Sequence, residues 1–385
     1  MPAPRAGIIV RLVALALAVR VVSAVLALFI NLAFPLAQPR QMTVFADPSP
    51  FWDTFARFDS GWYEKIARNG YDYVPGGRSN IAYFPVYPML MRYVGGALYG
   101  RYHAAYYLGG IIVSWASFLI AMPALFALAR LDVSDEAAER AVLLTAVFPF
   151  AFFFGLVYTE STFLLFTVLA FLGFRTGRWT LGGLAAAVAI ATRVTGILMW
   201  PALVWIAWRR TRALNRDLLW AAVGLLIALS GFVGYCAFID SLTGNPFEWA
   251  ATLQRWGYHP GRAVWSAPLG LVQHLLTHPY VYLTTDPVGP YETLYGVTGT
   301  LFLICTPFVW WRLGAAYGML MLFSLAVPIS SGVFEGLGRY CSVLFPCFVW
   351  LATFRPKISA TLIPVTFALF YTLGLALFTT LHQLF

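Results

Sequence analysis

The sequence predicts an all-α polytopic membrane protein. Of its 385 residues 60% are hydrophobic and only 11% charged, the mean hydropathy is +0.75, and apolar runs of about 17 to 25 residues recur from end to end. Soluble domains do not reach this composition. By the length a helix needs to cross hydrocarbon, the runs make about eleven spans. No internal repeat or low-complexity linker divides the chain, so a single integral domain over residues 1–385 is expected.

The net charge of +9 does not point to nucleic acid. Basic residues are dispersed between apolar runs and form no patch with a recognition motif, so they read as orienting the helices. Only two of the 25 are lysine. The four cysteines, Cys236, Cys305, Cys341 and Cys347, lie in or beside apolar runs without metal-ligand spacing and read as small core residues.

The first run, Ile8 to Phe34, has a basic start and a Val22-Ser23-Ala24 sequence like a cleavage site, but Arg20 interrupts its apolar core and the run continues to span length. It reads as a retained first helix with the N-terminus inside. The polar stretch from about Pro35 to His103 is then an extracytoplasmic loop. Within it Asp59 precedes an amphipathic helix, Ser60 to Asn69, that stops at Gly70. That helix is expected to lie along the interface, Trp62, Tyr63 and Ile66 toward lipid or core and Glu64, Lys65 and Arg68 outward.

A second span over Ala104 to Leu128 leads to a charged turn, Arg130 to Arg140, with Asp132 or Ser134 as N-cap. From Ala141 to Phe174 the apolar run is too long for one span, and two helices meeting at Thr159-Glu160 fit it. Arg175 and Arg178 mark a cytoplasmic turn, and the next segment, Trp179 to Trp208, ends in Arg209, Arg210, Arg212 and Arg216. With both ends inside, it must enter and return. Two short helices turning near Ala191-Thr192-Arg193 satisfy this, and such broken helices are tolerated only where buried or lining a cavity.

A span over Leu218 to Ile239 precedes a second long extracytoplasmic loop, Asp240 to Glu292. There Asn245-Pro246-Phe247-Glu248 has the form of a helix start, with Trp249, Leu253 and Trp256 following. Four more spans complete the chain, with Arg312, Arg355 and Lys357 at cytoplasmic turns and Ser330 to Tyr340 at an extracytoplasmic one.

This topology brings Asp59, Glu160, Arg193, Glu335 and Arg339 toward one side. Ionisable groups at membrane depth are costly unless paired or hydrated, so each is a functional candidate. Each also has a structural reading: Asp59 as a helix cap, Glu160 as a helix-dipole partner or ion pair with Arg193. Functionally, Asp59 could be a carboxylate base in an aromatic pocket, and either guanidinium a phosphate ligand. No glycine-rich phosphate loop, Asp-x-Asp pair, His-Glu-x-x-His or serine elbow occurs. The His274 and His278 pair lacks a third ligand. Neither a nucleotide cofactor nor a metal is expected, and a lipid-borne substrate fits better.

The motifs Phe58 to Tyr71 (FDSGWYEKIARNGY), Tyr83 to Pro88 (YFPVYP), Phe148 to Ser161, Ala191 to Leu203, Gly244 to Gly257 and Gly338 to Pro346 (GRYCSVLFP), in this order, carry a resemblance. The sequence resembles the PIG-V type mannosyltransferases, relatives of GPI mannosyltransferase II in the GT-C superfamily, over nearly its whole length. The resemblance implies an inverting transferase that moves a sugar, typically mannose, from a polyprenyl-phosphate carrier on the extracytoplasmic face. It implies Asp59 as the base, the position matching the family's aspartate in the first extracytoplasmic loop. Related sequences carry Trp-Asp there; this one has Phe58-Asp59, and Trp52-Asp53 six residues upstream keeps Asp53 as a rival.

With that chemistry, Arg193 and Arg339 are expected on the donor phosphate, and Trp62, Tyr63, Tyr83, Tyr158, Glu160 and Tyr340 around the sugar. The partners implied are polyprenyl-phosphate-mannose, a lipid or glycan acceptor and membrane lipids, with no metal, cofactor or nucleic acid. The expected location is the plasma (inner) membrane if the chain is bacterial, with the N-terminus cytoplasmic. A transporter or flippase of a lipid-linked sugar would share the broken helices and Arg/Glu pairs, but usually has two related halves with midplane sites. A non-catalytic scaffold would tolerate replacement of Asp59.

Overall fold

The computed structural model describes residues 6–39, 42–211, 216–285 and 289–384, so Arg212, expected at a cytoplasmic end, lies outside the described residues. Among them the chain is helical and contains no strand. Helix α1, Ala6–Ala33, has 28 residues, about 42 Å at the α-helical rise. It is apolar and more than long enough to cross the hydrocarbon.

The polar stretch after α1 holds more helix than its composition suggests. Helix α2 is Ser60–Asn69, as expected, but a further helix, α3, occupies Val86–Tyr99. Its Tyr87, Met91 and Gly95 are buried at four-residue spacing, the pattern of one helix face, and they pack on α4, His103–Ala129. Glu64 of α2 corrects the amphipathic reading. It points inward, only 3% exposed, and its Oε1 meets His103 Nδ1 at 3.0 Å and Arg68 Nε at 3.2 Å. The other ring nitrogen of His103 lies 2.9 Å from the Thr43 carbonyl. A buried carboxylate held by the His103 ring and the Arg68 guanidinium ties α2 to α4, which a surface helix would not need.

Ser134 caps α5, Asp135–Val147, by accepting from the Ala137 amide; Asp132 instead pairs with Arg175 at 2.7 Å. Between α5 and α6, Glu160–Thr176, the chain makes a 3-10 turn at Ala151–Gly155. This buried, non-helical backbone exposes carbonyls that need donors. Arg20 of α1 supplies them. Buried at 1% exposure, its guanidinium donates to the carbonyls of Ala151 at 2.9 Å and Phe152 at 3.4 Å, and to Tyr371 Oη at 3.0 Å. It also stacks 4.6 Å from the Phe118 ring. Arg20→Leu is expected to lower stability by about 3 kcal/mol, since buried carbonyls lose a charged donor, with Arg20→Lys between the two. Thermal unfolding in detergent measures it.

The segment after α6 turns and breaks where its length and flanking arginines require. Helix α7 is Trp179–Ile190, a 3-10 turn covers Val194–Met199, and α8 is Trp200–Arg210, with Pro201 in its first turn, where the missing N–H costs nothing. Gly196 permits the fold-back: a Cβ there would sit 2.6 Å from Ile190 Cα.

Helix α9, Arg216–Thr243, leads to α10, Glu248–Arg255. This helix starts two residues later than the Asn-Pro pattern suggests, because Asn245 Oδ1 accepts from the Phe247 amide at 3.0 Å and closes a turn first. Short helices α11, Ser266–Thr277, and α12, Pro279–Thr285, precede α13, Gly289–Leu313. Then come α14, Ala315–Ile329, α15, Leu337–Ser342, α16, Phe345–Leu351, and α17, Ile363–Thr379, entered through a π turn at Ile358–Leu362. Five helices, α1, α4, α9, α13 and α17 with its π turn, are long and apolar enough to cross a membrane. The other apolar runs fold as shorter helices that pack among them.

Candidate active site

The 3-10 turn after α7, the end of α14, and α10 and α15, with the residue before α2 and the loop after α10, surround a cavity of about 450 Å³. Asp59, Arg193, Arg339, Tyr63, Tyr83 and Tyr340 all line it. Asp59 stands at the N-cap of α2, yet its side chain makes no capping bond. Its carboxylate turns to Arg339 Nη1 at 2.8 Å and accepts from Tyr83 Oη at 3.1 Å. The residue before it, Phe58, has φ 50°. A bulky side chain there is strained by roughly 1–3 kcal/mol, held by its surroundings.

Arg339 also donates from Nε to Glu160 Oε1 at 2.7 Å, and Arg193 Nη1 reaches the same oxygen at 2.7 Å. The result is a chain of charges, Asp59, Arg339, Glu160, Arg193, with two of each sign. Side-chain exposure falls from 23% at Asp59 to 10% at Arg193 and 0% at Glu160. The guanidiniums rest on aromatic faces, Arg339 4.5 Å from the Tyr158 ring and Arg193 5.0 Å from Tyr340. Glu160 opens α6, where the helix dipole adds to the two cations.

Three of the expected pocket residues do not stand on its wall. Tyr158 and Glu160 are fully buried; they lie beneath Arg339 and hold it rather than touch the cavity. Trp62 stacks behind Tyr83, ring centroids 5.9 Å apart, and meets Trp256 edge-on at 5.2 Å. Asp53 is also away from the cavity. It is fully buried, and its carboxylate accepts from the amides of Val44 at 2.9 Å and Ser49 at 3.0 Å. His274 stacks on Tyr282, and no group of three metal-ligating side chains occurs among the described residues.

Trp256, Tyr258, Gln254 and Glu335 complete the outer wall. Of these the sequence singled out Trp256 and Glu335; Tyr258 and Gln254 sit in the same loop without a signal of their own. The loop is fixed by Glu248, which accepts from Tyr73 Oη at 3.1 Å and Arg255 Nη2 at 2.9 Å. Burial pushes the Tyr83 phenol well above its usual range, with the Asp59 charge adding to it, so the hydroxyl stays a donor.

Glu335 opens into the cavity, where desolvation by the walls and repulsion from Asp59 raise its proton affinity above the ordinary glutamate value of 4.5. The folded protein then binds this proton more tightly than the unfolded chain, so stability falls as pH rises from the ordinary value through the raised one. Glu335→Gln is expected to melt like the wild type below that window and higher above it. Parallel melts across pH check the sign.

The family described as Mannosyltransferase (PIG-V) matches residues 6–217, more than half of the chain. The chain belongs to the PIG-V mannosyltransferase family. Asp59, Glu160 and Arg193 fall inside the matched region of this PIG-V chain, and Arg339 and Glu335 beyond it. No curated protein matches it. Among solved structures, the PIG-V chain is similar to ArnT from Cupriavidus metallidurans bound to undecaprenyl phosphate, at 15% identity and a TM-score of 0.52, covering 99% of this chain and 77% of that one. It is also similar to the oligosaccharyltransferase of Archaeoglobus fulgidus in the apo form, at 11% identity and a TM-score of 0.50, over 96% of this chain and 56% of the other. At these identities the likeness is one of fold alone.

Proposed function

We propose that the cavity transfers mannose, with inversion, from a polyprenyl-phosphate carrier to a hydroxyl of a lipid or glycan acceptor, with Asp59 as general base. The observation that carries this is the placing of Arg339 between Asp59, at the cavity wall, and Glu160 beneath it. The family membership supports mannose as the sugar, and the likeness to ArnT, solved with bound undecaprenyl phosphate, supports a lipid-borne donor.

In the reaction the acceptor oxygen attacks the anomeric carbon from the face opposite the phosphate. Its proton passes to an Asp59 oxygen as the bond between anomeric carbon and phosphate oxygen breaks. Negative charge developing on the leaving phosphate is met by Arg339 and Arg193. Without donor, Arg339 Nη1 holds the Asp59 carboxylate in an ion pair at 2.8 Å. A phosphate arriving at the guanidinium competes for that pair and frees the carboxylate when a sugar is present to react. Tyr63, Tyr83 and Tyr340 offer rings and hydroxyls to the sugar. The charge bias of the loops and the run lengths fit about eleven crossings in one integral domain, with the N-terminus cytoplasmic and the cavity on the extracytoplasmic side.

Purified protein given labelled polyprenyl-phosphate-mannose and a lipid extract of its host is expected to form a mannosylated product whose anomeric configuration is opposite to the donor's. Retained configuration would sink the mechanism. Movement of the carrier between leaflets without transfer would replace the enzyme with a transporter.

A further inference from the structure

A second cavity, of about 580 Å³, lies between α4, α6 and α7, walled by Phe166, Leu169, Leu172, Leu181, Leu184 and Val188. One of its ends is polar, formed by Arg130, Thr176 and Arg178. Helix α6 runs from Glu160 to Thr176 and α7 returns from Trp179 toward Arg193. The polar end is therefore about 25 Å, one length of α6, from the ion pairs of the candidate active site. Leu181 and Leu184 are 60% and 54% exposed, so the groove opens sideways, where an integral membrane protein meets lipid.

Charge at the polar end is unbalanced. Asp135 is taken by Arg130 at 3.1 Å and Asp132 by Arg175 at 2.7 Å. Arg210 donates to the Arg175 carbonyl at 2.9 Å and keeps its charge. Arg178 is exposed, and no hydrogen bond or ion pair of its side chain occurs among the described residues. A groove with apolar walls and surplus cations at one end matches a lipid with an anionic head group.

We propose that this groove binds an anionic phospholipid of the leaflet far from the candidate active site, an acyl chain along the α6 and α7 leucines and the head-group phosphate on Arg178. The bound lipid braces the two helices whose opposite ends carry Glu160 and Arg193. This site stands apart from the transfer chemistry and does not depend on it.

The test is native mass spectrometry of the purified full chain with added phosphatidylglycerol or phosphatidylcholine, alongside melting with inorganic phosphate. One phosphatidylglycerol per chain should survive activation that strips phosphatidylcholine. Arg178→Gln should weaken its retention about fivefold, the weight of one basic residue at an anionic surface. Arg178→Lys should keep most of it, and Leu184→Trp should fill the groove and abolish it; unchanged melting in detergent without added lipid shows that each variant folds. Equal retention of both lipids, or full retention in Arg178→Gln and Leu184→Trp, overturns the proposal. Stabilisation by inorganic phosphate equal to that by phosphatidylglycerol would make this a plain anion site, and a dimer lost with Leu184→Trp would make it a contact between copies; either also overturns it.

Discussion

Asp59→Asn is expected to cut turnover by about 10²–10⁴, the range a positioned general base supplies, while the donor still binds. The amide keeps the shape and can still accept from Tyr83, but it cannot take the acceptor proton. Its cost in stability is small for a buried network, because Arg339 retains Glu160 at 2.7 Å. Asp53→Asn should behave in the opposite way. Its carboxylate accepts two backbone amides in a buried loop, so the variant loses stability by roughly 1–3 kcal/mol yet keeps turnover in the folded fraction. Labelled-mannose transfer measured with melting on both variants separates them. A dead but stable Asp53→Asn would move the base six residues upstream.

Arg339→Met is expected to have the larger combined effect. It strands Glu160, fully buried, with Arg193 alone and leaves Asp59 without its ion pair. Removing one partner of a buried pair costs about 3–5 kcal/mol, and losing a cation from the leaving phosphate costs a further 10²–10³ or so in turnover. The double variant Glu160→Gln with Arg339→Met should recover part of the stability and none of the activity. Such a split shows the pair coupling structurally while the guanidinium acts separately on substrate. Equal loss of both properties in all variants would reduce Arg339 to a packing element.

Much of this arrangement is legible in the sequence, and the rest fails for identifiable reasons. The break at Ala191 to Arg193 follows from arginines on both sides of a run too short for two full spans, and the start of α6 at Glu160 from a run too long for one. The pairing of Glu160 with Arg193, 33 positions apart, could be read because neighbouring helices carry them. The joining of Asp59 to Arg339, 280 positions away, could not, since only tertiary packing brings the two side chains together. Glu64 misled because a charged residue on a short amphipathic helix normally faces water, and its partner His103 belongs to another element. Tyr158 and Glu160, read as shaping the sugar pocket, lie buried under Arg339; polarity in a membrane segment marks a site without saying whether a residue touches the ligand or supports one that does.

The shared guanidinium has a consequence for how the chain is made. Asp59, Glu160 and Arg193 leave the ribosome well before Arg339, so the insertion machinery handles a product holding two carboxylates against one cation at the future site. Until about the last eighth of the chain is threaded in, that half-built centre carries an uncompensated negative charge that must stay hydrated. Chains truncated before α15 should therefore be recognised by membrane quality control as unfinished, even though every helix of the matched family region is already present.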